Sequence, residues 1–91
     1  MEKKWTASDI KSAKYLGEIE IDGGGNFSVV ATDEKIIFGG ACNAGLLESG
    51  YIEREDGESL DETLRELVED LEIFYRDGSR YTSRIAVNER M

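Results

Sequence analysis

Gly39-Gly40-Ala41-Cys42-Asn43-Ala44-Gly45-Leu46-Leu47-Glu48 gathers the residue types of this chain best suited to chemistry. Small side chains leave backbone amides open to a ligand, and Gly39, Gly40, Cys42, Asn43, Gly45 and Glu48 would bring a thiol, an amide and a carboxylate to such a loop. The same composition suits a bulged strand or a tightly packed place that admits only small side chains, with Cys42 as a small buried hydrophobe. Gly40 and Gly45 stand five apart, yet Leu46-Leu47 follows where a phosphate-binding loop needs Lys and Ser or Thr. Gly23-Gly24-Gly25 lacks the G-x-G-x-x-G spacing and leads into a strand pattern, so it reads as a hairpin turn.

Other chemistry is limited by what is missing. The chain has no histidine and one cysteine, which removes the usual base near neutral pH, the Ser/His/Asp and Cys/His arrangements, and zinc ligation within one chain. Carboxylates are abundant enough for an acid–base pair, but a linear order does not say which of them meet in space. The acidic loop Glu53-Arg54-Glu55-Asp56-Gly57 places Arg54 and Ile52 where a calcium loop turning at Gly57 wants oxygen ligands. No catalytic residue, metal or cofactor is assigned, and the balance is against an enzyme.

The element with the clearest signature is SLDETLRELVEDLEIF, Ser59 to Phe74. Leu60, Leu64, Leu67, Val68, Leu71, Phe74 and Tyr75 fall within an arc of roughly 120° at helical spacing, the width of a stripe packed on a core. Ser59 and Glu62 form a capping box at its start, and Asp77-Gly78 supplies the residue able to take positive φ at its end. Ile73 alone interrupts the polar side. That side carries Glu62, Glu66, Glu69, Asp70 and Glu72, a candidate docking surface for a partner with a basic surface. A solvated face that keeps a small protein soluble would show the same run. Glu62/Glu66 and Glu66/Asp70 are like charges one turn apart, a penalty of roughly a few tenths of a kcal/mol each. Each large apolar side chain buried contributes about 1.5–3 kcal/mol, so packing decides.

Ninety-one residues with 40% hydrophobic and 34% charged composition and no proline imply one globular domain. Met1 opens a polar segment without the apolar run of a signal peptide, and no stretch is apolar enough to span a bilayer, which points to a cytoplasmic protein without a membrane partner. A single cysteine fits a reducing compartment. The net charge is −9, distributed unevenly. Residues 1–14 carry four lysines against Glu2 and Asp9, and residues 76–91 four arginines against Asp77 and Glu89. These basic ends are expected to lie against the acidic middle. Direct nucleic-acid binding is disfavoured, because phosphate contacts require a concentrated basic footprint.

Alternation over Tyr15–Ile21 predicts a strand, followed by a turn at Asp22–Asn26, a second strand over Phe27–Thr32, a reversal at Thr32–Lys35 and a third strand at Ile36–Phe38. A fourth strand is predicted at Tyr51–Arg54 and a fifth at Tyr81–Val87. Ser8 is a candidate cap for a short helix running to Lys14. The sum is a two-layer α+β domain: a mainly antiparallel sheet of four to five strands packed against one long amphipathic helix, with a short N-terminal helix. An unpaired sheet edge leaves a homo-oligomer open.

FGGACNAGLLESGY (Phe38 to Tyr51), DETLRELVEDLEIFYRDG (Asp61 to Gly78) and the ending NERM (Asn88 to Met91) resemble a family of small uncharacterised bacterial proteins, some of them carried with mobile genetic elements. That resemblance brings no assigned activity and no site residue; it implies an accessory interaction role. Three readings of function follow. The first is a non-enzymatic interaction module meeting a basic partner through the acidic helix face, since residues 48–72 hold eleven acids against Arg54 and Arg65. The second is a small-ligand module or minor enzyme using the Gly39 to Tyr51 loop. The third is a mimic of nucleic-acid charge that inhibits a DNA-binding or defence protein.

Overall fold

Two helices and six strands make up a computed structural model that describes residues 3–43, 45–78 and 84–88. In chain order these are β1 (Lys4–Thr6), α1 (Ala7–Ser12), β2 (Lys14–Ile21), β3 (Gly25–Ala31), β4 (Lys35–Cys42), β5 (Gly45–Glu53), α2 (Leu60–Asp77) and β6 (Ala86–Val87). The sheet runs β1-β5-β4-β3-β2, and every pairing among the described residues is antiparallel. β5 is the hub. Its one side pairs with β4, and its other side is shared end to end by β1, opposite Gly45–Leu47, and β6, opposite Gly50 and Tyr51.

The α+β class agrees with the expectation, and the strand count does not. Six strands replace the expected four to five, because Lys4–Thr6, where no strand was expected, adds an edge strand. Three residues are too few for an alternation to register. Asp22–Gly24 turns the chain between β2 and β3, and the Thr32 N–H donates to Lys35 O at 2.8 Å in the reversal into β4. β4 continues four residues beyond Phe38, and β5 begins at Gly45 instead of Tyr51, so the glycine-rich segment is a hairpin and not a loop. Of the expected fifth strand, Ala86 and Val87 pair with β5, and Tyr81–Ser83 lie outside the described residues.

Helix starts follow from side chains that satisfy orphan amides. Ser59 Oγ accepts from the Glu62 N–H at 3.2 Å and the Glu62 carboxylate accepts from the Ser59 N–H at 3.1 Å, while Gly78 closes α2 with φ +65°. α1 starts two residues earlier than a cap at Ser8 would set it: Thr6 is the cap, in a reciprocal pair with Asp9. It ends at Ser12, before Lys14 enters β2.

The core has two parts on opposite faces of the sheet. Leu67 and Leu71 of α2 are buried against Ile21, Phe27, Val29, Ala31, Ile36, Phe38 and Ile52, with Leu60, Leu64 and Val68 packed around them. On the other face Trp5, Val30, Ile37 and Leu46 form a smaller cluster that Ile10 of α1 and Ala13, its C-cap, help to cover. Burial on both faces explains why Val29, Val30 and Ala31 form an unbroken apolar run.

Candidate functional site

α2 sends its acids in two directions. Glu66 and Asp70 point toward the C-terminal strand, where Arg84 meets them: its guanidinium Nη1 donates to Glu66 Oε1, and its backbone N–H donates to Asp70 Oδ2 at 2.8 Å. The same guanidinium lies 3.3 Å from Glu55 Oε1 and 3.5 Å from Glu58 Oε1, and donates to the Glu53 carbonyl. Glu58 in turn accepts from the Thr63 hydroxyl at 2.8 Å, which satisfies a fully buried polar side chain. One carboxyl oxygen each from Glu55, Glu58 and Glu66 lie within 4.8 Å of one another, a spacing that would suit a metal ion. The cation seated among them is Arg84.

Glu62 serves α2 itself. Hydrogen bonds from the Ser59 N–H and hydroxyl hold its carboxyl below the usual range, with a smaller contribution from Arg65. Three of the five acids expected to form a partner surface thus have internal duties. Glu69 is exposed and Glu72 half-buried, and among the described residues neither is in an ion pair.

Glu72 belongs to the other flank of α2, which turns toward β2. There a cleft of about 650 Å³ is lined by Glu20, Ile21, Asp22, Gly23, Gly25 and Glu72. Three carboxylates face it, and among the described residues no basic side chain lines it. The β2–β3 turn that carries Asp22 is fixed by the Gly24 N–H donating to Ile21 O at 2.9 Å. Tyr75 closes over this turn. A Cβ at Gly24 would sit 2.8 Å from the Tyr75 ring, so a glycine is what lets the ring approach. The ring stacks on Phe27 at 5.9 Å and remains 37% exposed. The site therefore combines negative charge with a partly exposed aromatic edge, the side-chain type that most often anchors an interface.

The glycine-rich segment has a structural account. A Cβ at Gly39 would lie 1.9 Å from Leu47 O, and one at Gly45 would lie 2.1 Å from Trp5 O, so both positions exist to let strands approach. Glu48 Oε1 accepts from Trp5 Nε1 at 2.8 Å, with Lys3 Nζ 4.2 Å from the centroid of the same ring. Cys42 is half-buried and pairs with Gly45 at the end of the hairpin, while Gly40 and Asn43 are exposed. The structure does not gather these six residues around the acidic cleft. Nor do they line the cleft of about 560 Å³ between Trp5, Lys14, Arg54 and Leu60, or that of about 340 Å³ between Asp33, Tyr51 and Asp56.

Glu20, Asp22, Tyr75 and Arg84 are the residues that the linear reading missed as site components. Glu20 is visible in the alternation of β2, but its meeting with Glu72 across fifty-two positions depends on where the helix lands. Among the described residues no helix is long and apolar enough to cross a membrane. Comparison with protein-family models, curated proteins and solved structures finds no match.

Proposed function

We propose that this chain is a non-enzymatic interaction module that receives a basic segment of a protein partner on the β2-facing flank of α2. The observation that carries this reading is the convergence of Glu20, Asp22 and Glu72 on one cleft that, among the described residues, no basic side chain lines. Like charges held close raise the field in a concave site, which steers an oppositely charged partner and speeds association. Tyr75 supplies what charge alone does not: a partly exposed aromatic ring, itself stacked on Phe27, on which an arginine side chain can stack. The exposed Glu69 extends the negative field along the outer side of the helix.

This places the expected acidic surface differently from its linear description. Glu69 and Glu72 remain in it, Glu20 and Asp22 join it, and Glu62, Glu66 and Asp70 support the fold beside it. The reading is tested by affinity capture from cells with the unaltered chain and with a Glu20→Gln/Asp22→Asn/Glu72→Gln variant, each over a series of ionic strengths. Captured proteins with basic surfaces that the variant loses, and that salt releases, support it. Capture that ignores both the substitutions and the salt overturns it. Removing three charges from the rim of an interface is expected to weaken binding roughly 5- to 10-fold, mostly through the association rate.

A further inference from the structure

The end of the sheet opposite the acidic cleft carries an opening of different character. β3 has Gly25 at the acidic cleft and Ala31 at this one, a cleft of about 560 Å³ between the end of α1, the β3–β4 reversal and the start of α2. Its size is that of a small-molecule site, in the range of roughly 300–1,000 Å³. Both core clusters reach it: Trp5 and Ala13 from the cluster beside α1, and Ala31 and Leu60 from the one beneath α2. These walls are held in place. Glu48 Oε1 accepts from Trp5 Nε1 at 2.8 Å, and the Ala13 N–H donates to Asp9 O at 3.2 Å.

Lys14 of β2 and Arg54, just past β5, line this cleft against one carboxylate, that of Asp33. Arg54 is fixed at both its ends: its backbone N–H donates to Glu34 O and its Nη1 to Thr32 O, each at 2.8 Å. The carbonyl that accepts from it belongs to a turn that Thr32 itself ties, its hydroxyl accepting from the Glu34 and Lys35 N–H groups at 3.2 and 3.1 Å. A guanidinium has five N–H donors in a planar fork, and this bond engages one of them. The group is thus oriented before a ligand arrives, which lowers the ordering cost of binding. We propose that this cleft binds a small apolar monocarboxylate, its carboxylate on Arg54 and Lys14 and its apolar body between Trp5, Ala31 and Leu60. Two cations against Asp33 leave one net positive charge, which matches a monoanion better than a phosphate dianion. The apolar walls favour a ligand with a hydrocarbon body, which inorganic anions lack. This site shares no residue with the acidic cleft and does not depend on the reading of a basic partner.

The test titrates the isotopically labelled full chain with 3-phenylpropionate and with hexanoate, following backbone amide shifts. Saturable shifts of Ala13, Lys14, Thr32, Arg54 and Leu60 are expected, with half-saturation at about 1 mM for ligands of this size. 3-Phenylpropionamide keeps the ring and loses the charge, and is expected to bind at least about 10-fold more weakly. Inorganic phosphate asks whether charge alone suffices. It too is expected to bind at least about 10-fold more weakly than 3-phenylpropionate, because it buries no apolar surface. The site is overturned by a lack of saturable shifts with both carboxylates, by shifts centred elsewhere, or by an amide or phosphate that binds as well as the carboxylates.

Arg54→Gln removes the fork and is expected to weaken 3-phenylpropionate at least about 10-fold. Should that chain fail to fold for want of the bond to Thr32 O, Lys14→Gln alters an exposed side chain and is expected to weaken the same probe about 3-fold. Unchanged affinity in a folded Arg54→Gln chain, or in Lys14→Gln where that is the folded variant, also overturns the proposal. The Glu20→Gln/Asp22→Asn/Glu72→Gln chain is altered at the other end of the sheet. It is expected to keep its affinity for 3-phenylpropionate within about 2-fold at physiological salt, whether or not it still captures a basic partner. A loss there as large as that of Arg54→Gln would place the probe outside this cleft and sink the assignment.

Discussion

Glu62 and Asp9 do at residue scale what their positions in the linear sequence foretell, and their protonation has a measurable consequence. Hydrogen bonds from Ser59 hold the Glu62 carboxyl below its ordinary value of 4.5, and those from Thr6 hold Asp9 below 3.8. A carboxyl whose folded value is depressed contributes stability that is fully present above its unfolded value and disappears as pH falls through the folded one. The capping contribution of Glu62 is therefore intact above pH 4.5 and fades below it. Thermal unfolding of the Glu62→Gln chain, which keeps an acceptor for the Ser59 N–H, should show a weaker acid dependence over that window than the unaltered chain. Identical acid dependence would mean that this carboxylate is not engaged. Arg84 is the opposite case. Nothing near it in sequence announces its partners, which lie between 14 and 31 positions away, so its role was legible only as one basic residue among four in the C-terminal region.

At the scale of elements, legibility follows how much of the signal is local. α2 was readable nearly to the residue because a capping box, an apolar period and a terminal glycine all lie within it. β4 and β5 were not, because Gly39, Gly40, Gly45 and Gly50 carry no side chains from which an alternation can be read. Their reason is steric and comes from neighbouring strands. Gly39→Ala should cost about 1–3 kcal/mol by pushing β5 away, since the added carbon would lie 1.9 Å from Leu47 O. Gly40→Ala meets nothing within 4 Å and should be neutral or slightly stabilising in the same unfolding assay. Equal costs at the two positions would contradict the packing account of this hairpin. The division of labour along α2 is open to the same assay: Leu71→Ala should cost about 2–5 kcal/mol and Glu69→Ala no more than about 0.5 kcal/mol. A Glu69 substitution as costly as that of Leu71 would mean that the outer side of the helix is not a free surface.

For the whole molecule, a net charge of −9 is the broadest constraint, and the fold decides where it is spent. The basic ends were expected to lie against the acidic middle, and Arg84 does so, neutralising part of one flank of α2. The opposite flank meets β2, an edge strand whose Lys14, Glu18 and Glu20 discourage pairing with another sheet. The acidic cleft lies where that edge strand, the β2–β3 turn and the helix converge. The most direct test of the central claim is chemical-shift mapping of the isotopically labelled full chain with a captured basic partner. Perturbations centred on Glu20, Asp22, Gly23, Glu72 and Tyr75 are predicted, collapsing as salt is raised. Perturbations confined to Gly40, Cys42 and Asn43, or no perturbation of the cleft at low salt, would contradict it.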